Sequence, residues 1–129
     1  MKKFISLILS LACIFALSAC GKKAKPIVLP EVSDITSIDI TVGKDCVNYT
    51  DEIWISEIIS GISSSEPTNK ESVQDVPQGE NYIKIDIQLE TETSTLFVYE
   101  ENEKYYVEQP YQGIYEIDSQ LYEQLQKIK

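Results

Sequence analysis

The sequence predicts an α+β domain, in which an antiparallel β-meander sheet of about five strands packs on one amphipathic helix. A short C-terminal helix and a signal peptide complete the prediction. Apolar and polar residues alternate cleanly over Ile83–Leu89, which is typical of a strand with one buried face. Apolar residues recur at helical spacing after Thr50, and short polar turns separate the later apolar segments.

The folded part is predicted to start with a strand and a helix. Residues 38–42 alternate between apolar and polar, so we expect a half-buried strand there and a turn from Gly43 to Asp45. Thr50 is expected to cap a helix over residues 51–62, which Gly61 and the serines after it would end. One apolar stripe on this helix is expected to face the sheet: Trp54, Ile55, Ile58, Ile59 and Ile62. A surface anchor for a ligand is the alternative role for Trp54.

A long polar connection, residues 66–81, separates the helix from the meander. Unstructured loops of this length are uncommon in compact domains and tend to be functional or disordered. Val73, Val76 and two prolines can anchor the segment, so we expect an ordered excursion over the domain. A ligand-binding loop is the alternative.

The meander and the last helix follow with short connections. We expect strands over residues 83–89, 95–99, 105–107 and 114–117, with a turn at 110–113 in which Gly113 can take positive φ. Asp118 or Ser119 is expected to cap the final helix. Its apolar stripe comprises Leu121, Tyr122, Leu125 and Ile128.

The N-terminal residues are typical of a lipoprotein signal peptide. Two lysines precede an apolar run that is too short to cross a bilayer, and this run ends in Leu-Ser-Ala-Cys at Cys20. We expect residues 1–19 to be removed and Cys20 to carry acyl chains, which anchor a protein stably when there are two or more. Residues 20–30 would then be a flexible tether, and residues 31–129 one domain on the extracytoplasmic face of the cell membrane. An ordinary signal peptide with a chance cysteine is the alternative.

Composition excludes several functions. The net charge is −10, and the residues from Glu31 onward carry −15, because five lysines precede Glu31 and every acidic residue follows Pro30. Such a surface repels nucleic acid. The chain has no His and no Arg, so it lacks Ser-His and Cys-His nucleophile pairs, His-ligated zinc and bidentate phosphate clamps. We therefore expect no enzyme, no cofactor and no metal site.

A candidate binding surface lies in the meander, where five of the eight tyrosines cluster. Exposed tyrosines suit recognition because they combine apolar area with a polar tip, although Tyr is also simply a good strand former. We expect the centre of the surface at residues 107–113. The expected contacts are Tyr106, Gln109, Tyr111 and Gln112 in the meander, with Ser72 and Asp75 in the long loop.

Two further groups of residues are weaker candidates. The acidic residues near 100–108 lack the spacing of a Ca²⁺ loop, and they are better explained as a solvated face. Cys46 would be the one thiol left in the mature chain. Asp45 disfavours its thiolate and no His is present to activate it, so we expect a buried or merely tolerated cysteine.

Several phrases resemble a family of short, uncharacterised domains in Gram-positive lipoproteins, a domain of unknown function. They are WISEIISGISSSEPTNKESVQDVP, ENYIKIDIQ, STLFVYEENEKYYVEQPYQGIYEI and LYEQL, of which VEQPYQGIYEI is the most specific. Similar domains can accompany membrane-bound sensors of the cell envelope. The resemblance implies an anchored binding or accessory domain and carries no catalytic residue.

The sequence therefore predicts a lipid-anchored, non-enzymatic binding or accessory domain, with an envelope protein or peptide as its partner. An inhibitor or structural accessory of an envelope enzyme or sensor is the alternative. A hydrolase that uses paired carboxylates is a remote one, because so small a domain rarely forms the cleft it needs.

Overall fold

The structure, a computed structural model, describes residues 25–77, 79 and 81–127. The predicted signal peptide and the predicted lipidation site at Cys20 lie outside these residues. Within the described ranges, no helix has the length and apolar character needed to cross a membrane.

One antiparallel sheet of seven strands and two helices make up the described chain. The strands are β1 (Ile35–Val42), β2 (Asp45–Tyr49), β3 (Glu66–Pro67), β4 (Ile83–Leu89), β5 (Thr93–Glu101), β6 (Lys104–Gln109) and β7 (Gly113–Ile117). Their order across the sheet is β2-β1-β4-β5-β6-β7-β3, and every neighbouring pair is antiparallel. The helices are α1 (Glu52–Ser63) and α2 (Ser119–Gln126), and a short 3-10 turn spans Val32–Asp34. The predicted α+β class and the meander from β4 to β7 are confirmed.

The predicted number of about five strands is too low, because both edge strands were missed. β2 has only Val47 and Tyr49 as apolar residues on one face, which is too short an alternation to stand out from a turn. β3 has two residues within the predicted loop, and it pairs Glu66 with Glu116 and Pro67 with Tyr115. Gly43 has φ +61° in the two-residue connection from β1 to β2, so the predicted turn there exists but is shorter.

The hydrophobic core lies between one face of the sheet and α1. Fully buried isoleucines of β1 and β4 meet the predicted stripe of the helix, of which Ile55, Ile58, Ile59 and Ile62 are buried. Trp54 is half-buried at the margin of this core, where its ring stacks on Tyr49 with 3.8 Å between centroids. The expected core role of Trp54 is thus confirmed at the edge of the core rather than at its centre.

The ends of the helices follow ordinary capping chemistry. Asp51, not Thr50, caps α1. Its carboxylate accepts a hydrogen bond from the Ile53 N–H at 2.9 Å, and its negative charge interacts favourably with the positive end of the helix dipole. Asp118 caps α2 as predicted and accepts the Leu121 N–H at 2.8 Å.

Gly61 was expected to end α1, but the helix continues through it to Ser63. A Cβ at this position would stand 3.1 Å from Leu121 Cδ1, so the glycine provides the space in which α2 packs on α1. Ile128, the last member of the predicted stripe on α2, lies outside the described residues.

Candidate functional site

The second face of the sheet, turned away from α1, is covered over β5, β6 and β7 by the long connection. Side chains of Phe97, Tyr106 and Ile114 point to this face and are nearly inaccessible to solvent. The loop begins at Thr68, whose N–H and hydroxyl both donate to the Ile114 carbonyl, at 3.1 Å and 2.7 Å. It ends at Tyr82, whose ring meets Phe97 edge to face. The described residues of the connection therefore form the ordered excursion that the sequence predicts.

A buried carboxylate fastens this loop to the sheet. Glu108 of β6 is 1% exposed, and its two oxygens accept hydrogen bonds from the Ser72 hydroxyl at 2.7 Å and the Tyr99 hydroxyl at 3.1 Å. Among the described side chains, no lysine pairs with Glu108. Since a buried carboxylate is costly without hydrogen bonds, these two donors keep Glu108 inside. The pKa of Tyr99 is raised well above its usual value, mainly by burial and secondly by the charge of Glu108. The phenol therefore stays protonated and remains a hydrogen-bond donor.

Tyr106 was predicted as a surface contact, but the structure buries it to 6% exposure. The loop covers its ring: Lys70 Nζ lies 4.1 Å from the ring centroid and also pairs with Glu101 at 3.5 Å. The physical reason is that β6 is covered on both faces, so neither Tyr105 nor Tyr106 is free. Tyr106 therefore supports the loop and is corrected from contact to packing residue.

Gln109 is also engaged within the domain. Its side-chain amide donates to the Val28 carbonyl at 2.8 Å, and the Tyr115 hydroxyl donates to the Lys25 carbonyl at 2.9 Å. Ile27 and Leu29 pack against the core beside these bonds. The predicted domain start at Glu31 is therefore too late, because residues 25–30, assigned to the flexible tether, lie against the fold.

Tyr111, Gln112 and Asp75 are the exposed residues of the predicted set, and Tyr111 is the largest of them. It lies in the turn between β6 and β7 with φ +63°, and 60% of its surface is accessible. Its N–H donates to the hydroxyl of buried Ser72 at 3.0 Å, so the loop holds the turn. The Asp75 carboxylate interacts with the Tyr111 hydroxyl and raises its pKa. The structure thus places both predicted loop contacts, Ser72 and Asp75, beside Tyr111. Ser72 is buried beneath the turn, whereas Asp75 is accessible to solvent.

Two further residues of the loop, next to Ser72 and Asp75 in the sequence, expose apolar side chains that were not predicted to be exposed. Val73 is 72% exposed and Val76 is 46% exposed, although both were expected to anchor the loop. Of the loop residues that the structure describes, Ser72 and Pro77 are buried instead. We call Val73, Asp75, Val76, Tyr111 and Gln112 the Tyr111 surface. Its signal in the sequence is a polar loop that nevertheless carries two valines beside acidic and amide groups.

The Tyr111 surface combines several kinds of chemical group. It offers an aromatic ring, two aliphatic side chains, a carboxylate and a primary amide. Glu108, the one deeply buried carboxylate of the described chain, is occupied by two hydroxyl donors. Within the described ranges, no three His, Cys, Asp or Glu side chains converge as metal ligands would. Cys46, expected to be buried or tolerated, is exposed on β2, far from this surface in the strand order.

Comparison with known proteins identifies a family but no activity. The family model DUF5301, described as "Domain of unknown function (DUF5300)", matches residues 23–116. The chain is similar to a solved structure titled "NMR structure of the protein from Ruminococcus gnavus", with 38% identity and a TM-score of 0.65, covering 74% of this chain and 97% of that one. No curated protein matches.

Proposed function

We propose that this chain, which belongs to the family described as a domain of unknown function (DUF5300), is a lipid-anchored protein of the outer face of the cell membrane whose domain binds an envelope protein or peptide. Binding uses the Tyr111 surface and involves no catalysis. The Cys20 motif supports the anchor, and the residues around Tyr111 support the binding role.

The backbone of Tyr111 is the observation that carries the proposal. A left-handed conformation costs an L-residue about 1–2 kcal/mol, whereas Gly adopts it freely. The position is therefore one where folding favours Gly, and a large aromatic side chain occupies it while remaining mostly exposed. The ring adds little to the core, so its contribution is to the surface, where exposed tyrosines are typical anchors of protein interfaces.

The surroundings of Tyr111 indicate the kind of partner. Val73 and Val76 extend the apolar area on the loop, and Asp75 supplies a negative charge beside it. The domain as a whole is strongly acidic. A partner segment with an apolar or aromatic side chain next to a basic one fits this combination, and the complementary charge would speed association.

The rigid support beneath the surface also favours a binding role. Ser72 joins the Tyr111 backbone to Glu108, and Glu108 joins both to Tyr99 on the neighbouring strand. This chain of hydrogen bonds fixes the turn and the loop relative to the sheet. A preformed surface loses less conformational entropy on binding than a mobile one, which strengthens the complex.

The binding experiment compares two glycine substitutions in the full-length protein in its membrane. Tyr111→Gly removes the ring and relieves the backbone. Glu103→Gly relieves a similar positive φ of 66° in the turn between β5 and β6, outside the Tyr111 surface, and is the matched control. Partners are fixed by a short cross-linker, captured with the protein and identified by mass spectrometry.

We expect one partner to be captured by the wild type and by Glu103→Gly, and to be lost with Tyr111→Gly. Both variants should unfold within about 1 kcal/mol of the wild type or be more stable, because Gly suits both positions. Equal capture by all three proteins would refute the Tyr111 surface as the binding site.

The anchor is tested separately. In the full-length protein, Cys20→Ser removes the thiol that would be acylated. We expect the wild type to partition into detergent and the variant to remain uncleaved. A wild-type N-terminus without acyl mass at Cys20 would refute lipidation while leaving the binding test valid.

A further inference from the structure

The two edges of the sheet are treated differently. At one edge β3 covers part of β7, and Thr68 extends that cover to the Ile114 carbonyl. At the other edge lies β2, and no described segment pairs with its outer side. Proteins usually protect such an edge with charged residues, proline or a bulge. In β2 the one charged residue is Asp45 at its first position, and residues 46–49 contain no charge, proline or bulge.

The backbone groups that face outward from β2 follow from its register. Val42 and Asp45 close the two-residue turn from β1 and exchange both of their hydrogen bonds. Hydrogen-bonded pairs then alternate along an antiparallel ladder, so Val47 and Tyr49 also bond to β1. The N–H and C=O groups of Cys46 and Asn48 therefore point to the free edge.

Apolar side chains lie beside this edge. Val47 and Tyr49 point to the α1 side of the sheet and are only half-buried. The Tyr49 ring stacks on Trp54 at 3.8 Å with 8° between their planes, which leaves a flat aromatic surface at the end of the strand. Ile53, next to Trp54 in the first turn of α1, is 72% exposed. An added strand would place every second side chain near this aromatic and aliphatic group.

The negative charges around β2 indicate which kind of segment could bind at this edge. Asp45, Asp51 and Glu52 are exposed at its two ends, and Lys44 is the one lysine beside them in the described sequence. The strongly negative domain also repels a second copy of itself. A basic chain is attracted for the same reason, so a segment that combines lysine or arginine with apolar residues complements this edge.

We propose that β2 is a strand-addition site for an extended, basic segment of a second protein, with apolar residues at alternate positions. The segment would pair with the outward groups of Cys46 and Asn48, in the way that peptides extend exposed sheet edges. Its apolar side chains would pack beside Tyr49, Trp54 and Ile53. The site is separate from the Tyr111 surface and does not depend on it.

The probe is a short capped peptide of alternating lysine and valine, added to the full-length ¹⁵N-labelled protein in detergent. We expect the amide signals of Cys46 and Asn48 to shift and their hydrogen exchange to slow. A peptide of alternating glutamate and valine should bind at least tenfold more weakly. Binding should also weaken as salt is added, because the attraction is between exposed charges.

Backbone pairing is tested on both partners. Cys46→Pro removes an outward N–H at a position where an edge strand tolerates proline, and Cys46→Val keeps that N–H as the control. We expect Cys46→Pro to lower the peptide affinity at least tenfold and Cys46→Val to leave it unchanged. If Cys46→Pro does not fold, peptides methylated on alternate amide nitrogens give the same test with the wild type. Methylation on one edge of the peptide should abolish binding, and methylation on the other should not.

Several results would overturn the strand-addition site. These are no shift at Cys46 and Asn48, equal binding of the acidic peptide, or equal binding of both methylated peptides. Shifts of the same two signals with protein concentration alone would instead identify a second copy as the occupant. Loss of peptide binding in Tyr111→Gly would place the peptide on the Tyr111 surface.

Discussion

Replacing Ser72 with alanine tests the bond that holds the loop on the sheet. The Ser72 hydroxyl donates to Glu108 at 2.7 Å and accepts from the Tyr111 N–H at 3.0 Å. A hydrogen bond to a charged group contributes about 1.5–3 kcal/mol, and Glu108 at 1% exposure has little access to water as a replacement. The hydrogen bond from the Tyr111 N–H lies nearer the surface and therefore contributes less to stability. We expect Ser72→Ala to lower the free energy of unfolding by about 2–4 kcal/mol.

Ser65→Ala is the matched control, because the chemical change is the same and its expected effect is not. The Ser65 hydroxyl is buried and has no partner among the described atoms. Removing an unsatisfied buried hydroxyl should leave stability unchanged or raise it. Urea unfolding monitored by the fluorescence of Trp54, the single tryptophan, measures both variants.

A double-mutant cycle identifies the partner of Ser72. In the background of Glu108→Gln the acceptor is neutral, so Ser72→Ala should cost about 1 kcal/mol or less. The reasoning fails if Ser72→Ala lies within about 0.5 kcal/mol of the wild type. It also fails if its cost is the same in both backgrounds, because the charge of Glu108 would then contribute nothing.

Three further predictions concern pH, a turn and a cap. The raised pKa of Tyr99 means that the unfolded chain loses the phenol proton near pH 10 while the folded chain keeps it. Stability should therefore be intact below pH 10 and fall above it, and urea unfolding from pH 8 to 11 should show a shallower fall for Tyr99→Phe. Gly43→Val should lower the free energy of unfolding by about 1–2 kcal/mol because φ is +61°, and since nothing lies within 4 Å of the added Cβ, this cost would come from the backbone. Asn adopts this conformation more readily than Val, so an equal cost for Gly43→Asn in thermal unfolding would contradict a backbone origin. Asp118→Ala should cost about 1 kcal/mol and Asp118→Asn a few tenths, since Asn also caps; equal losses in urea unfolding would show that capping is not the cause.

The sequence predicts best where one face of an element is buried and the other is open. β4 alternates cleanly because its second face carries Lys84, Asp86 and Gln88 towards solvent. The isoleucine stripe of α1 has the same origin. In both cases the period of the pattern is also the period of the structure, so element type and buried face could be read directly.

The sequence predicts less well where both faces are covered. Leu96, Phe97 and Val98 form a continuous buried run in β5, since α1 covers one face and the loop covers the other. A run without alternation is the signal of such a strand, but it does not say what lies above it. The pairing of Ser72 with Glu108 joins residues 36 positions apart, and no local pattern encodes that contact. This is why Tyr106 was expected at the surface and is covered.

The candidate site was predicted in part for the same reason. Tyr111, Gln112 and Asp75 are accessible as expected, because the turn and the loop tip lie outside the ladder. Val73 and Val76 show the opposite behaviour: apolar residues were expected to anchor the loop, whereas a serine bonded to a buried carboxylate does so. Hydrophobicity alone therefore misassigned which loop residues face inward.

The N-terminal segment held by Gln109 and Tyr115 sets how far the domain could stand from a bilayer. For a chain anchored at Cys20, a free linker up to Glu31 would reach about 35–40 Å when extended. Because Lys25 is already held on the domain, the linker that remains, from Cys20 to Lys25, reaches only about 17–18 Å when extended. Because a lipid anchor moves freely in the plane of the membrane, the linker confines the domain only along the membrane normal, and the layer it can occupy would be about half as thick, which favours partners embedded in the membrane over those free in the surrounding space.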